Sequence, residues 1–553
     1  MYLGLDVGGT HTDAVLLDEK GVKSTYKAVT DHANLLLSVQ KALQEVTKNI
    51  NPKDIRRINL STTLSTNAIV ENRIEDVGVF VSSGPGIDPE SFRIGESYFV
   101  LDGSIDHRGT VVKAIEDVGL ERALAECKKK GIKVFAAVTK FSTRNPGQER
   151  KIEEKLKGIS DFTTLGHRLS GQLGFPRRVA TAYFNSATWR IFRGFADAIE
   201  KGIRGLGIEA EINILKADGG TMPLSMAHDI PVESILSGPA ASVMGIISLC
   251  HITEDSIILD IGGTTTDIAI FASGAPLIER EGISLASHPT LVRSLKTKSI
   301  GMGGDSALTA ANGIVKAGPE RRGPAMADGG DQPTLIDALN YKGIIDYNDK
   351  GRSVQGIEEL AKKSGLSPKK LADAAVEYAL GAIKSAVDVM LTEINEKPVY
   401  TIHEMIEGKR IVPSRVYCMG GPARAFMELL SDRFSINVTV PKNYEVANAI
   451  GAALAKNTFE VELFADTSNG VLTVPNLNIT MKVTAKYDLG EAERDAKKFL
   501  AEHLKSLGVS VDDKDMEITE ASSFKMVQGF SSVGKDIRVK CQIRPGVVMD
   551  LTE

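Results

Sequence analysis

The chain contains one twelve-residue motif twice, and this duplication restricts the possible folds more than any other feature of the sequence. Residues 6–17, the first motif, read DVGGTHTDAVLL, and residues 260–271, the second motif, read DIGGTTTDIAIF. Each motif follows an apolar run and leads into another, which predicts a β-hairpin with a turn rich in glycine and threonine. Because 553 residues exceed what one core can hold, two or three domains are expected.

The two turns have the chemistry of a phosphate site. Glycine has no Cβ, so backbone N–H groups of a paired-glycine turn can approach a phosphate closely, and threonine hydroxyls add donors. A plain hairpin turn explains one copy as well, but two copies favour the phosphate site. Two interpretations of His11 remain: it lies near the phosphate, or it is an exposed residue with no role in the site. The candidate nucleotide-binding residues of the motifs are Gly8, Gly9, Thr10, His11, Thr12, Gly262, Gly263, Thr264, Thr265 and Thr266.

Each motif also carries two aspartates, which are the candidate catalytic residues. Asp6 and Asp260 end their strands, where a carboxylate could hold Mg²⁺ through its water shell. Asp13 and Asp267 could act as a base or bind a metal-bound water, and a turn-stabilising bond to nearby N–H groups is an equal alternative. A Rossmann or Walker nucleotide site fits less well, because each strand leads to a strand and no GxxxxGK[ST] occurs.

The two motifs resemble the phosphate motifs of the actin, sugar-kinase and heat-shock ATPase superfamily. Residues 415–423, RVYCMGGPA, are similar to its adenosine motif and place Gly420 and Gly421 against the adenosine. Residues 237–243 and 445–453 resemble its two small-residue helices, which connect the lobes. The resemblance implies an α/β fold of two actin-like, ribonuclease H-like lobes, with Mg-ATP bound in the cleft between them.

Further segments resemble the A-type, ATP-binding component of the hydantoinase/oxoprolinase family. They are 61–71 (STTLSTNAIVE), 218–220 (DGG), 237–240 (SGPA), 299–306 (SIGMGGDS) and the stretch from 323 to 340. The sequence departs from the family pattern at Ser61, Asp305 and Met326, and residues 82–89 replace a GF(R/K)DxxxIGR stretch. The glycine pair of 303–306, which precedes a helix-like run, suits close approach to a ligand. Gly303, Gly304 and Asp305 are therefore further candidate binding residues.

The family resemblance implies an ATP-dependent hydrolase that phosphorylates and activates a cyclic amide or carbonyl substrate. It also implies a B-type partner on a separate chain, because no segment of this sequence resembles the B-type component. Two alternatives remain: an actin-like ATPase that regulates or reactivates a partner protein, and a small-molecule kinase. Arg321 and Arg322 could pair with phosphate, but a solvated loop is the favoured interpretation.

The pattern of predicted elements divides the chain into three parts. Residues 1–175 form an N-terminal lobe with the first motif, and 176–460 form a second lobe with the second motif and the adenosine motif. Residues 465–553 form a small α+β appendage that lies outside the family resemblance. Long helices are predicted over 180–205 and 369–394.

Composition excludes several classes of protein. A formal charge of −5 and a pI near 6.1 give no reason to expect a nucleic-acid partner. No apolar run reaches the length of a membrane span, and no leader is recognised before the first strand. The four cysteines form no CxxC pair, which argues against a metal ribbon or a disulfide framework. A cytoplasmic protein that forms a homo-oligomer is expected.

Overall fold

The computed structural model describes residues 1–31, 35–279, 281–396, 410–509, 511–528 and 531–552. The first motif lies in a six-stranded sheet of the first lobe, whose central strand is Tyr2–Val7. This strand pairs antiparallel with the strand that contains the motif's second half and parallel with Arg57–Thr62. In order, the sheet consists of Thr221–Pro223, Glu211–Leu215, Arg57–Thr62, Tyr2–Val7, His11–Asp18 and Gly21–Val29.

The first lobe extends beyond residue 175, where the sequence predicted its end. The predicted helix 180–205 is observed over Phe175–Gly205, and Phe192 and Ile199 on this helix share a core with Leu3 and Leu5. The strand Glu211–Leu215 then pairs with Arg57–Thr62 in the same sheet. The predicted boundary is therefore wrong, because the chain returns to complete the first sheet before it enters the second lobe.

A second, parallel sheet is inserted in the first lobe between residues 77 and 165. Its strands are Phe162–Leu165, Val134–Thr139, Val77–Ser82 and Ser97–Val100. Both faces are covered, as a parallel sheet requires, by helices that include Asp117–Lys130, Gly147–Leu156 and part of Phe175–Gly205. The unusual segment 82–89 leaves this sheet at the end of Val77–Ser82, away from the first motif.

The second lobe repeats the layout of the first. The second motif forms the hairpin Ser256–Ile261 and Thr266–Ala272, and Arg415–Met419 runs parallel beside it, as Arg57–Thr62 does in the first lobe. Asn437–Thr439 continues the sheet, and Ala275–Pro276 and Thr297–Ile300 pair with the hairpin's outer strand. The α/β fold of two actin-like lobes is confirmed. The main helices of this lobe are Leu335–Tyr341, Lys350–Ser364, Pro368–Asn395 and Ala423–Phe434.

Two small-residue helices, Ser237–Leu249 and Ala447–Leu454, join the lobes, as predicted. They cross so closely that glycine is required at the contact. A Cβ built at Gly451 would lie 2.1 Å from the Ala241 oxygen, and one at Gly245 would lie 2.2 Å from the Ala447 oxygen. Gly4 on the first central strand is equally close to the second helix, since its Cβ would lie 2.0 Å from the Ala449 oxygen. The hinge between the lobes is thus a contact of backbones.

The C-terminal unit begins at residue 460, before the predicted boundary at 465. Its five-stranded antiparallel sheet consists of Ile479–Lys482, Val471–Val474, Glu460–Asp466, Ser531–Ile543 and Met516–Gln528. The helix Leu489–Ser506 packs on one face with Leu500 and Leu504. The prediction missed the strand Glu460–Asp466, because it follows the second connecting helix after only five residues. Beyond the sheet, the tail returns to that helix, where the Val548 N–H donates to the Leu454 oxygen at 2.8 Å.

The described part of the chain contains no helix that is both long and apolar enough to cross a bilayer. All four cysteines are free thiols. Three of them, Cys127, Cys418 and Cys541, are buried, so they contribute apolar volume to three different cores.

The alanine variant Gly451→Ala is expected to destabilise the protein. The added Cβ would meet backbone atoms at 2.1 and 2.3 Å, and overpacking of this kind costs about 1–3 kcal/mol. The free energy of unfolding is measured by urea denaturation. Gly381→Ala, in the helix Pro368–Asn395, is the control, because its Cβ meets no atom within 4 Å and alanine favours the helix. Equal stability of the two variants would contradict the close crossing.

Candidate functional site between the lobes

The turns of the two motifs face each other across one gap. In the first turn the Gly8 N–H donates to the His11 oxygen at 3.0 Å, and in the second the Gly262 N–H donates to the Thr265 oxygen at 2.9 Å. The Thr10 and Thr264 hydroxyls lie 3.1 Å apart and bridge the lobes. The sequence-based expectation that both turns border a single cleft is therefore met by their geometry.

Not every threonine of the motifs faces this cleft. Thr12 is fully buried and shares a hydrogen bond with Thr30, their hydroxyls being 3.1 Å apart. Thr266 is also fully buried and donates to the Met302 oxygen at 2.6 Å. The expectation that these two hydroxyls bind phosphate is corrected, because both are already used inside their lobes. Thr265 is exposed on the second turn.

Asn448 links the two strand-end aspartates. Its side-chain nitrogen lies 3.4 Å from an Asp6 oxygen and 3.1 Å from an Asp260 oxygen. The Ser242 hydroxyl donates to the same Asp260 oxygen at 2.7 Å. Asn448 and Ser242 lie on the two connecting helices, so these helices fix the floor of the cleft. The sequence analysis missed both residues, although Asn448 is the one amide in a helix of small apolar residues.

Four carboxyl groups gather at this floor. Asp6 is opposite Asp13, and Asp260 is opposite Asp267, in the two hairpins. Burial, reinforced by Asp13, raises the pKa of Asp6 to about 6. Burial, reinforced by Asp260, raises the pKa of Asp267 to about 7, and burial also raises the pKa of Asp13 and of Asp260. The cleft thus concentrates negative charge at a cost in stability, which is the condition that a bound cation relieves.

The residues present fit a hydrated Mg²⁺. One Asp6 oxygen is buried without a hydrogen-bond partner among the described residues, and it can accept from a metal-bound water. No group of three or more His, Cys, Asp or Glu residues in the described part of the chain is arranged to hold a metal ion directly. This suits Mg²⁺, which keeps several waters and takes ligands from phosphate as well as carboxylate.

Cationic and neutral donors lie beside the carboxyl groups. The Lys27 ammonium is 2.7 Å from an Asp13 oxygen, and the Arg321 guanidinium is 3.2 Å from an Asp305 oxygen. Burial, together with these two cations, lowers the pKa of His11 to about 4, so the imidazole is neutral at physiological pH. Lys27 was missed by the sequence analysis. Arg321 and Arg322 lie in an exposed loop, as the favoured interpretation predicted, and Arg321 in addition pairs with Asp305 near the turns.

The loop 303–306 braces the second motif. The Gly304 N–H donates to the Gly262 oxygen at 2.9 Å, and the Asp305 N–H donates to the Gly263 oxygen at 2.6 Å. A Cβ at Gly303 would lie 2.6 Å from the Gly263 backbone. The run that follows forms the strands Leu308–Ala311 and Ile314–Ala317, so the predicted helix-like run is a hairpin. Gly303 is thus required by packing against the turn itself, whereas a Cβ at Gly304 would meet the side chains of Ile336 and Pro422 at 2.9 Å.

The glycines of the site fall into two classes. Gly420 has a φ of +90°, and its Cβ would lie 2.2 Å from the Ile261 oxygen, so the fold requires glycine there. Gly9 and Gly421 have ordinary backbone angles, and a Cβ at either position would meet no protein atom within 4 Å. The fold therefore does not require glycine at Gly9 or Gly421, which leaves room for close approach of a ligand.

These features define a two-lobed protein of actin-like fold, with two phosphate-type turns on either side of the cleft between its lobes. Residues 2–160 match the family model of the hydantoinase/oxoprolinase N-terminal region, and residues 178–461 match that of hydantoinase/oxoprolinase. The chain belongs to the hydantoinase/oxoprolinase family.

Curated relatives and solved structures agree with this assignment. The alpha subunit of caprolactamase from Pseudomonas jessenii is 23% identical over 61% of this chain and 53% of its own length. The 5-oxoprolinase of Saccharomyces cerevisiae is 23% identical over 82% of this chain and 41% of its own length. The chain thus spans about half or less of these two relatives.

Two solved structures share the fold over nearly the whole chain. A nucleotide-free acetone carboxylase has a TM-score of 0.70 at 17% identity and covers 99% of this chain and 87% of its own. The ATP-dependent caprolactamase of Pseudomonas jessenii has a TM-score of 0.68 at 17% identity and covers 98% and 87%. At these identities the likeness establishes the fold, including the presence of the C-terminal unit.

The variant Asp6→Asn is expected to be more stable than the natural protein at pH 8 and to lose this advantage progressively as the pH falls from about 6 to below 3.8. Because folding raises the pKa of Asp6 from 3.8 to about 6, protonated Asp6 stabilises the folded state. This contribution is complete below the unfolded pKa and disappears as pH rises through about 6. The gain at pH 8 should be about 1–3 kcal/mol, measured by urea denaturation without nucleotide.

Asp54→Asn, at an exposed position, is the control. It should leave the free energy of unfolding unchanged at both pH 5 and pH 8. If the stabilisation from Asp6→Asn were the same at pH 5 and pH 8, Asp6 would not carry the raised pKa.

Proposed function

We propose that this chain is the nucleotide-using component of an ATP-dependent hydrolase that activates a cyclic amide or a related carbonyl compound. One observation carries the proposal: the Thr10 and Thr264 hydroxyls meet at 3.1 Å, so that two phosphate-type turns border one gap. The family membership and the amide-opening enzymes named among the relatives support the type of substrate.

The triphosphate of ATP would lie between the two turns. Backbone N–H groups at Gly9 and Gly263, together with the Thr10 and Thr264 hydroxyls, would donate to its oxygens. The adenosine would lie along Gly421, where the open side of the strand end leaves space. Neutral His11 and the cations of Lys27 and Arg321 would balance part of the phosphate charge.

Asp6 and Asp260 would hold the hydration shell of Mg²⁺, with Asn448 keeping the two carboxylates in register. When bound, Mg²⁺ supplies charge neutralisation for the phosphates. Asp13 and Asp267 lie opposite these residues across the hairpins. The raised pKa of Asp267, about 7, suits a group that takes up or releases a proton at neutral pH.

The proposed chemistry uses ATP to convert a poor electrophile into a good one. The amide oxygen attacks the γ-phosphorus, and the bond from that phosphorus to the bridging oxygen breaks, releasing ADP. Water then adds to the activated carbon, and the ring C–N bond breaks with transfer of a proton to nitrogen, which leaves an acyl phosphate. A second water hydrolyses the acyl phosphate to the carboxylate and inorganic phosphate. This chain would supply the first step by positioning the reactants and stabilising the charge on the phosphates.

A separate B-type chain would complete the hydrolysis. The name of the caprolactamase relative identifies it as an alpha subunit, and the 5-oxoprolinase relative is more than twice as long as the region that it shares with this chain. Both facts support a partner that supplies a further part of the enzyme. A protein-regulating ATPase is the second candidate, and it is distinguished by ATP turnover that a protein, rather than a lactam, stimulates.

The variant Gly9→Ala is expected to weaken Mg-ATP binding at least tenfold, equivalent to about 1.4 kcal/mol, while the protein remains folded. No protein atom lies within 4 Å of the added Cβ, so any loss reports on the ligand. Calorimetric titration measures the dissociation constant. Gly546→Ala, a loop glycine whose Cβ meets only the end of a lysine chain at 4.0 Å, is the matched control. Unchanged affinity in Gly9→Ala would place the phosphates elsewhere.

The variant Asp260→Asn is expected to lower lactam-dependent release of ADP by about 10- to 100-fold, because it removes one of the two carboxylates at the metal site. The side chain keeps its size, so the thermal midpoint should not fall. ADP release is followed with caprolactam, hydantoin and 5-oxoproline, with and without a co-expressed B-type chain. Full turnover in Asp260→Asn would refute the role of the second motif.

A further inference from the structure

A cavity of about 330 Å³ lies between the first lobe and the C-terminal unit, outside the gap between the turns of the two motifs. Its volume is at the lower end for pockets that hold small molecules. The first-lobe wall includes Lys216 and Asp218, and the facing wall includes Thr458, Glu460 and Gln542 of the C-terminal region. None of the residues that line it belongs to either motif, so the cavity is a separate compartment.

The charged groups of the cavity are held in place by the backbone. The Ala217 N–H donates to the backbone carbonyl oxygen of Glu233 at 3.2 Å, and the Leu295 N–H donates to the backbone carbonyl oxygen of Ala217 at 2.9 Å. The Arg293 guanidinium bonds to Glu460 and, at 2.6 Å, to the Gln542 side-chain oxygen. Glu460 and Gln542 are cross-strand neighbours in the C-terminal sheet. Five segments of the chain therefore converge on one rigid polar lining.

This lining concentrates unsatisfied polar atoms. Five residues that line the cavity each carry a buried side-chain atom that has no hydrogen-bond partner among the described residues. Buried polar atoms are nearly always paired with protein, water or a ligand, but these five are covered by the protein itself, so contacts to a ligand come from the accessible groups of the same lining. The five atoms are Thr163 Oγ1, Arg293 Nε, Thr458 Oγ1, Asn476 Oδ1 and His503 Nε2.

Glu233 gives the cavity its charge preference. Within the described residues its carboxylate makes neither a hydrogen bond nor an ion pair, whereas Lys216 pairs with Asp218 at 3.2 Å and Arg293 pairs with Glu460. Burial, only partly offset by Lys216, raises the pKa of Glu233 to about 7. The acids facing the cavity thus outnumber the bases, and the unpaired acid calls for a cationic donor.

We propose that this cavity binds a small zwitterion, with its ammonium group against Glu233 and its carboxylate against the Arg293 guanidinium. Met222, Met226 and Phe459 provide apolar surface for the carbon chain between the two charges. An amino acid with a short or medium chain has this combination of groups.

The cavity lies on the same edge of the first sheet as the first motif. Glu211–Leu215, which leads into Lys216, is parallel to Arg57–Thr62, and that strand is parallel to Tyr2–Val7, which leads into the first turn. Two strand spacings separate these ends by about 10 Å. Ligands of open α/β sheets collect at such carboxyl ends, so a zwitterion there could affect the nucleotide cleft through the sheet.

The test is calorimetric titration of the full chain without nucleotide, with glycine, glutamate and 6-aminohexanoate as probes. At least one zwitterion is expected to bind with a stoichiometry of one, at least tenfold more tightly than hexanoate or hexylamine, which each carry one of the charges. The variant Glu233→Gln should weaken that binding at least tenfold without changing the thermal midpoint. Glu209→Gln, at an exposed position, should leave it unchanged.

The proposal is overturned if no zwitterion gives heat, which would mean that the cavity holds water only. It is also overturned if the single-charge probes bind as tightly as the zwitterions, or if Glu233→Gln binds as the natural protein does. Because nucleotide is absent, failure of this test leaves the proposed ATP chemistry untouched, and loss of ATP binding would leave this result unaffected.

Discussion

The structure depends on the contact of backbones between the two connecting helices. Gly245 and Gly451 allow the helices to approach so closely that any Cβ at these positions would meet a neighbouring main chain near 2 Å. This closeness brings Asn448 of one helix and Ser242 of the other to Asp260. The same crossing point therefore joins the lobes and holds the floor of the cleft. Larger residues here would separate the two motifs as well as the two helices.

In the protein without a bound cation, the carboxyl groups at the floor of the cleft destabilise the folded state. Four carboxyl groups, three of them buried and Asp267 half-buried, all have a raised pKa. Within the described residues, Asp13 alone of the four forms an ion pair, with Lys27. Charged groups in this arrangement destabilise the folded state at neutral pH. The proposed hydrated cation, held together with the phosphates, would offset this electrostatic cost.

The sequence predicted the fold and the facing turns because a duplicated motif carries both. It failed where side-chain direction decides the role of a residue. Thr12 shares the strand face of Ala14 and Leu16, which are in the core, while Thr10 lies in the turn. The alternation of side chains along a strand distinguishes these two threonines, but the prediction assigned every threonine of the motif to the phosphate site. Lys27 and Asn448 carried no such local signal, because strand pairing and helix crossing bring them to the site from distant parts of the sequence.

Long-range pairing also explains why the domain boundaries were misplaced and what the C-terminal unit does. Its sheet starts at Glu460, whose carboxylate pairs with Arg293 in the wall of the cavity. Two further arginines of the first lobe, Arg108 and Arg144, pair with Asp466 and Asp536 of this unit at 3.3 Å.

The tail of the unit then bonds to the second connecting helix. The unit is thus fastened both to the first lobe and to the hinge. Because its attachment lies beside the hinge instead of across the cleft, closure of the lobes on the proposed nucleotide would leave the walls of the cavity in place. The proposed small-molecule site and the proposed nucleotide site are therefore compatible in one chain.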